Sequence, residues 1–321
     1  MGAFAPALSA LPARAGQATG TGLIYDDRYL EHVLPLRRGE THPERPLRLT
    51  RIMETLESRG LVDHLVRLPL LPDPDPHIER HHTAEHVAGV RSIDITGQVA
   101  ELAVAGALGA VDAVASGTVR NAFCAARPPG HHANNTGAEE GFCFYSNAAI
   151  AARYAQRIHG LERVLIIDWD YHHGNATQNA FYDDPSVLFI SFHDWQAYPG
   201  TGDPALAGEG EGNGFNVNIH LDCGAADSDI LTHWDPVIGA RAAQFRPDLI
   251  LLSAGFDSRR DDLLGCFEIT DNAFRRMTRM AMDMADDFCD GRVVSLLEGG
   301  YNVDGTAIAT AAHIETLLDH S

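Results

Sequence analysis

Two textures alternate along the chain. Short, nearly unbroken apolar runs at 122–126, 164–168, 187–192, 249–253 and 293–297 predict strands buried on both faces. Between them lie longer stretches whose apolar residues recur every three or four positions, as in helices with one buried face. These predict helices over 99–116, 146–159, 229–245, 271–289 and 307–318. Nearer the N-terminus a helix is expected over 47–59, where Leu49, Ile52, Met53 and Leu56 share a face, and another over 83–90. A first short strand is expected at 23–25. Pro72, Pro74 and Pro76 read as a broken loop after the apolar stretch 65–71. The glycine-rich stretch 208–214 reads as a flexible loop, and its glutamates rule it out as a phosphate cradle. Strands alternating with helices imply βαβ units and a mostly parallel sheet. With no repeat and no linker, residues 23–321 are expected to form one domain behind a loose leader at 1–22.

Composition changes this picture little. The leader lacks the basic start and long apolar core of a secretion signal. No apolar run reaches the ~18–20 residues of a membrane span, so no membrane partner is expected. Cys124, Cys143, Cys223, Cys266 and Cys289 show no CxxC spacing, which suggests reduced thiols and a cytoplasmic protein. A net charge of −20 argues against direct nucleic-acid binding and favours cationic ligands in any cleft. A homo-oligomer is compatible with all of this.

The chemistry collects where the apolar runs stop. His131/His132, Asp168/Asp170/His172, His193, Asp257 and Tyr301 each follow a predicted strand. Ligands of open α/β sheets bind at the carboxyl ends of strands, and five reactive ends in one sheet are hard to explain by stability alone. Asp170 and His172, two apart in extended chain, point the same way. With Asp257 they make an Asp2His set that suits a catalytic zinc site, with Fe(II) or Co(II) as alternatives. Asp168 shares their side, as a ligand or as the partner that orients a histidine. His173 faces away and reads as a packed histidine. The rigid Pro128-Pro129-Gly130 turn aims His131 and His132, candidates for acid–base work. Tyr301 follows two glycines, and its hydroxyl suits polarising a carbonyl.

These residues resemble the histone deacetylase superfamily. The resemblance rests on Arg127-Pro-Pro-Gly-His-His-Ala, Glu140-Gly-Phe-Cys-Phe, Asp168-Trp-Asp-Tyr-His-His-Gly-Asn, Ser191-Phe-His, Tyr198-Pro-Gly-Thr-Gly, Ser253-Ala-Gly-Phe-Asp and Glu298-Gly-Gly-Tyr, in family order from about His42. Asn175, where class I members carry aspartate, aligns the chain with class II and bacterial deacetylase-like amidohydrolases. The resemblance implies a single-domain arginase–deacetylase α/β fold, with a mostly parallel sheet of about eight strands flanked by helices. It implies zinc on Asp170, His172 and Asp257, with Asp168 orienting His131 and Asn175 near His132. Gly141, Phe142 and Tyr198 would line an acyl-lysine channel, and Arg48 would sit by an acetate-release cavity. A structural potassium would be held by Asp168, Ser191 and the carbonyls of Asp170, His172 and Phe192. The reaction implied is removal of acetyl or another short acyl group from an acyl-lysine side chain or a small acylated amine. The histidine pair would move protons and Tyr301 would donate to the oxyanion.

Alternatives are an acetylpolyamine deacetylase, a two-metal arginase-like hydrolase and a catalytically dead acetyl-lysine binder. Two departures from the family stand out. The connection between the helices at 83–90 and 99–116, about eight residues, is shorter than usual. Leu264 stands where polyamine-specific relatives place a glutamate, which leans the chain toward acyl-lysine.

Overall fold

A computed structural model of the protein describes residues 18–34 and 41–321. Eight strands form one sheet: β1 (Thr21–Ile24), β2 (Leu65–Arg67), β3 (Asn121–Cys124), β4 (Val164–Asp168), β5 (Val187–His193), β6 (Asn216–His220), β7 (Leu249–Ala254) and β8 (Val293–Leu297). Their spatial order is β2-β1-β3-β8-β7-β4-β5-β6, and every adjacent pair is parallel. Strands β3, β4, β5, β7 and β8 are buried along their whole length, so both sheet faces are covered and their sequences read as unbroken apolar runs.

The helices are α1 (Pro46–Ser58), α2 (Asp75–His81), α3 (Ala84–Arg91), α4 (Asp94–Ala115), α5 (Asn147–His159), α6 (Asn175–Ala180), α7 (Asp227–Leu231), α8 (Ala240–Phe245), α9 (Asp271–Phe288) and α10 (Val303–Asp319). Side-chain caps mark several starts. Thr83 accepts from the His86 N–H at 3.2 Å, Thr270 from Ala273 at 3.4 Å and Asn302 from Gly305 at 3.0 Å. Helix α4 is long and apolar enough to cross a membrane, contrary to the expectation that no stretch is. Most of it is buried within the protein, where it packs on α5, β1 and β3.

Several expectations need correction. The leader cannot extend to residue 22, because Thr21 and Gly22 belong to β1 and are buried; residues 1–17 lie outside the described residues. The proline segment is not all loop. Asp75–His81 is helical, with Pro76 in its first turn, where a missing N–H costs nothing. The single helix expected over 229–245 is three pieces: α7, a π-helical stretch Trp234–Gly239, and α8. Pro236 cannot donate to the preceding turn, and its ring crowds the carbonyl there. Strand β6 escapes a hydrophobic reading because it is the polar sheet edge Asn-Val-Asn-Ile-His. The connection before α4 is only Ser92 and Ile93, because α4 begins at Asp94. The cysteines are not all free: the sulfurs of Cys223 and Cys266 are at bonding distance, while Cys124, Cys143 and Cys289 are free and buried.

Candidate active site

Four adjacent strands, β3-β8-β7-β4, deliver the reactive groups. The segment after β3 carries His131 and His132, β8 leads to Tyr301, β7 to Asp257, and β4 to Asp170 and His172. His193, at the end of β5, lies one strand outside this set. Its Nδ1 pairs with Ser191 Oγ at 2.8 Å and its Nε2 with the Gly202 carbonyl at 2.8 Å, so it anchors a loop. His173 is packed, as expected, with its Nδ1 2.8 Å from Thr201 Oγ1.

Asp170, His172 and Asp257 are buried, and one donor atom from each lies within 4.8 Å of the others. They do not converge by strand alternation as expected. The chain bends after Asp168, and Asp170 Oδ1 accepts the His172 N–H at 2.9 Å. That bend brings His172 Nδ1 to 3.1 Å from Asp170 Oδ1 and 3.0 Å from Asp257 Oδ2. Each carboxylate keeps a backbone donor: Gly299 N–H to Asp170 Oδ2 at 2.8 Å, Tyr171 N–H to Asp257 Oδ1 at 2.8 Å. Glycine is required where the walls approach. A Cβ on Gly255 would stand 2.0 Å from Asp170 Oδ2, and one on Gly299 2.1 Å from Asp257 Oδ2.

The electrostatics fit a cation. Burial, and then the charge of Asp170, pushes Asp257 up to about 7. Burial alone would depress His172, but its hydrogen bonds to Asp170 and Asp257 outweigh this and lift it to about 10. Two buried carboxylates and one imidazole thus compete for protons in a space shaped for a metal ion, and the donor set suits zinc.

The two histidines beside the cradle differ. His131 Nδ1 donates to Asp168 Oδ2 at 3.0 Å. Burial opposes its charge, but Asp170 and Asp168 outweigh burial and hold it well above its usual range. His132 Nδ1 donates to Asn175 Oδ1 at 2.8 Å; burial and then His131 keep it well below. Their rings lie 4.0 Å apart. Asp168 also accepts the Asp170 N–H, at 3.1 Å, and sits opposite Ser191 in the β4–β5 register. Phe192 follows Ser191 on β5 and is fully buried.

Above the cradle opens a cavity of about 630 Å³, lined by His132, Glu139, Glu140, Gly141, Phe142, Tyr171, His172, Ala197, Tyr198, Leu264 and Tyr301. Gly141, Phe142, Tyr198 and Leu264 are therefore brought together as expected. Burial, then Asp257 and Asp170, holds the Tyr301 phenol well above its usual range, so it keeps its proton and can donate. The Tyr301 backbone is pinned by Asp262 Oδ2, which accepts the N–H groups of Tyr301 at 2.7 Å and Asn302 at 2.9 Å. Asp262 is thus engaged with the backbone.

Arg48 packs 5.1 Å from the Tyr301 ring centroid. It donates to the carbonyls of Gly300 at 2.5 Å and Glu298 at 2.6 Å, and to Glu44 Oε1 at 3.1 Å. It holds the turn that presents the phenol. Sequence reasoning assigned no role to Glu44, Glu140, Asp262 or Glu298. Glu298 Oε2 accepts the N–H groups of Gly130 at 2.7 Å and His131 at 3.2 Å, so it sets the histidine turn. The only signal for it in the sequence was its place in the Glu-Gly-Gly-Tyr motif.

An all-parallel α/β fold with a buried Asp2His cradle and a histidine pair defines a metal-binding class of protein. The Histone deacetylase domain model matches residues 94–317. The chain is similar to a "Probable deacetylase" of Archaeoglobus fulgidus, 39% identical over 89% of this chain and 82% of that one. It is 37% identical to "Histone deacetylase 5" of Arabidopsis thaliana over 93% of this chain, and spans about half of that protein's length (49%). "Polyamine deacetylase HDAC10" of Homo sapiens is 34% identical over 93% of this chain and 48% of its own. Among solved structures, "Crystal Structure of HDA15 HD domain" superposes with a TM-score of 0.89 at 35% identity, covering 94% of this chain and 89% of that one. The chain belongs to the histone deacetylase family.

Proposed function

We propose that the protein is a metal-dependent deacetylase that hydrolyses the amide of an acyl-lysine side chain or a small acylated amine. One observation carries this reading: His132, His172 and Tyr301 line one cavity, His172 shares a tight buried donor set with Asp170 and Asp257, and His131 lies against the His132 ring. Zinc held there would supply Lewis acidity at the carbonyl and acidify the attacking water, with Fe(II) or Co(II) as substitutes. His131 and His132 share the proton work: one accepts from the water, one delivers to the leaving amine. Tyr301 donates to the oxygen that gains charge. Gly141, Phe142 and Tyr198 guide the acyl chain, and Leu264 stands at the rim. A potassium ion on Asp168, Ser191 and the carbonyls of Asp170, His172 and Phe192 is a proposal of the same reading, and so is an acetate-release path near Arg48.

An acylpolyamine substrate is the second reading. It is favoured by Glu139 in the cavity wall and opposed by Leu264 at the rim. The test is turnover of acetyl-lysine peptides against acetylspermidine by the zinc-loaded protein, with a chelator control. All 24 basic residues of the chain other than histidine are arginine, so amine release is read without a lysine background. Chelator-insensitive turnover, or none on either substrate, would overturn the proposal.

A further inference from the structure

The His132 ring is braced by more than one amide. Asn175 Oδ1 lies 2.8 Å from His132 Nδ1, and Asn175 Nδ2 donates to Glu140 Oε1 at 3.0 Å. Asn134 Nδ2 donates to the same Glu140 oxygen at 3.0 Å and to the His132 carbonyl at 3.2 Å. Asn179 Nδ2 in turn holds Asn134 Oδ1 at 2.9 Å. An asparagine side chain can turn either its oxygen or its NH2 toward a neighbour, whereas a carboxylate only accepts. With Glu140 on one side, Asn175 must give its NH2 to the carboxylate and its oxygen to His132. His132 then carries its proton on Nδ1 and leaves the Nε2 lone pair free.

The backbone delivers Glu140 to this place. Glu140 and Cys143 exchange both backbone hydrogen bonds at 2.9 Å, closing a tight turn. Gly141 and Phe142 occupy its left-handed corner, at φ 55° and 68°. A Cβ on Gly141 would stand 2.4 Å from His132 Cδ2, so the turn presses directly on the ring it helps to orient. Glu140 Oε2 is buried with no hydrogen-bond partner among the described residues. A desolvated carboxylate oxygen is an expensive arrangement for a residue kept only for stability. His131, by contrast, meets the Asp168 carboxylate directly.

We propose that Glu140 is a positioning residue that acts through Asn175 to set the tautomer and orientation of His132, a carboxylate one residue removed from the ring it serves. Its kinetic consequence rests on the amide-hydrolysis reading; its tautomeric consequence does not.

The test combines kinetics with a direct view of the ring. With zinc-loaded protein and an acetyl-lysine peptide, Glu140→Ala is expected to lower kcat roughly 10- to 100-fold, the scale of losing a partner behind an oriented histidine. KM should stay within about two-fold, since substrate binding is not what Glu140 serves. Glu140→Gln, whose amide oxygen still accepts from Asn175 and Asn134, is expected to keep most of the activity. Asn175→Asp should lower kcat in the parent, where two carboxylates would face each other across 3.0 Å. The same change should raise kcat in the Glu140→Ala background, where the new carboxylate meets His132 directly. A merely structural Glu140 predicts additive losses instead, and additive losses would overturn the proposal.

Nitrogen-15 histidine NMR of the same proteins should show His132 protonated on Nδ1 in the parent and a mixed tautomer in Glu140→Ala. If Glu140→Ala fails to fold, Glu140→Met fills similar space without an acceptor and carries the same expectation. An unchanged His132 tautomer in the folded variant would overturn the proposal. No turnover of any acyl amine, with the tautomer shift present, would overturn the hydrolase reading and uphold the positioning role.

Discussion

Among the described residues, two clusters of buried charged side chains surround Glu44 and Asp170, and they are completed in different ways. Around Glu44 the charges are closed on themselves. Its carboxylate takes a two-pronged contact from Arg127 at 2.5 and 2.6 Å, a third hydrogen bond from Arg48 at 3.1 Å, and has His32 Nε2 at 3.2 Å. The spare guanidinium donors go to the carbonyls of Tyr29, His32, Glu298 and Gly300. Around Asp170 the balance is open. Asp168, Asp170, Asp257 and Glu298 are all buried, with only His131 and His172 to offset them. A buried cluster that satisfies itself holds a fold together; one left with excess negative charge is a seat for a cation. Arg48 joins the two, with one prong on Glu44 and two on the turn leading to Tyr301.

The sharpest way to break this contrast is to remove a carboxylate from each cluster. Asp257→Asn should lose metal and more activity than the roughly 10- to 100-fold typical of a ligand's outer partners. The metal-free variant should melt no lower than the metal-free parent, because an uncompensated buried charge has gone. Metal analysis beside a thermal melt checks both. Glu44→Ala should do the opposite: metal stoichiometry is kept in the folded fraction, while stability in urea falls by about 3–5 kcal/mol, the cost of stranding buried partners. A destabilised Asp257→Asn or a fully stable Glu44→Ala would erase the distinction.

Tyr301→Phe sits between the clusters. It should keep the metal and lose ~10²–10³ in kcat, as for one oxyanion donor. Near-normal turnover would remove Tyr301 from the chemistry.

Acid titration sharpens the comparison further. Burial alone would raise the Glu44 carboxyl, but Arg127, His32 and Arg48 outweigh burial and hold it well below the usual range. A depressed folded-state pKa contributes stability above the unfolded value, about 4.3 for glutamate, and that contribution is lost as pH falls toward the folded value. The stability gap between the parent and Glu44→Gln should therefore shrink as pH drops below about 4.3. A constant gap from pH 7 to 3 would mean that the ion pairs add nothing.

The smallest effect lies outside both clusters. Leu264→Glu, at a rim position 42% exposed, should shift preference toward acetylspermidine only several-fold, as for a screened surface charge. Competition kinetics would reveal it.

Much of the site was legible because of the sheet. Buried parallel strands are apolar on both faces, so polar residues at 168–172, 257 and 301 stood out against their own strands. Elsewhere local pattern and tertiary context pulled apart. The helix Asp75–His81 hid among prolines because only Pro76, in its first turn, falls where helix tolerates it. Strand β6 hid because an edge strand has no need of an apolar sequence. Local pattern gave neither Glu44 nor Glu140 a role. Arg48 and Asn134 are near them in sequence, but Arg127 lies 83 residues from Glu44 and Asn175 lies 35 residues from Glu140, beyond any local pattern.

The sequence by itself determined the strand–helix alternation, the strand ends that carry chemistry, and the Asp170, His172 and Asp257 donor types. Those depend on burial periodicity and on the chemistry of single side chains. Only the tertiary structure decided that a bend, rather than strand alternation, aims His172 between two carboxylates. It alone decided which buried charges close on themselves and which remain open, and that Glu140 reaches His132 through an amide. Such outcomes depend on distances between segments remote in sequence, and those are set by how the strands are ordered in the sheet.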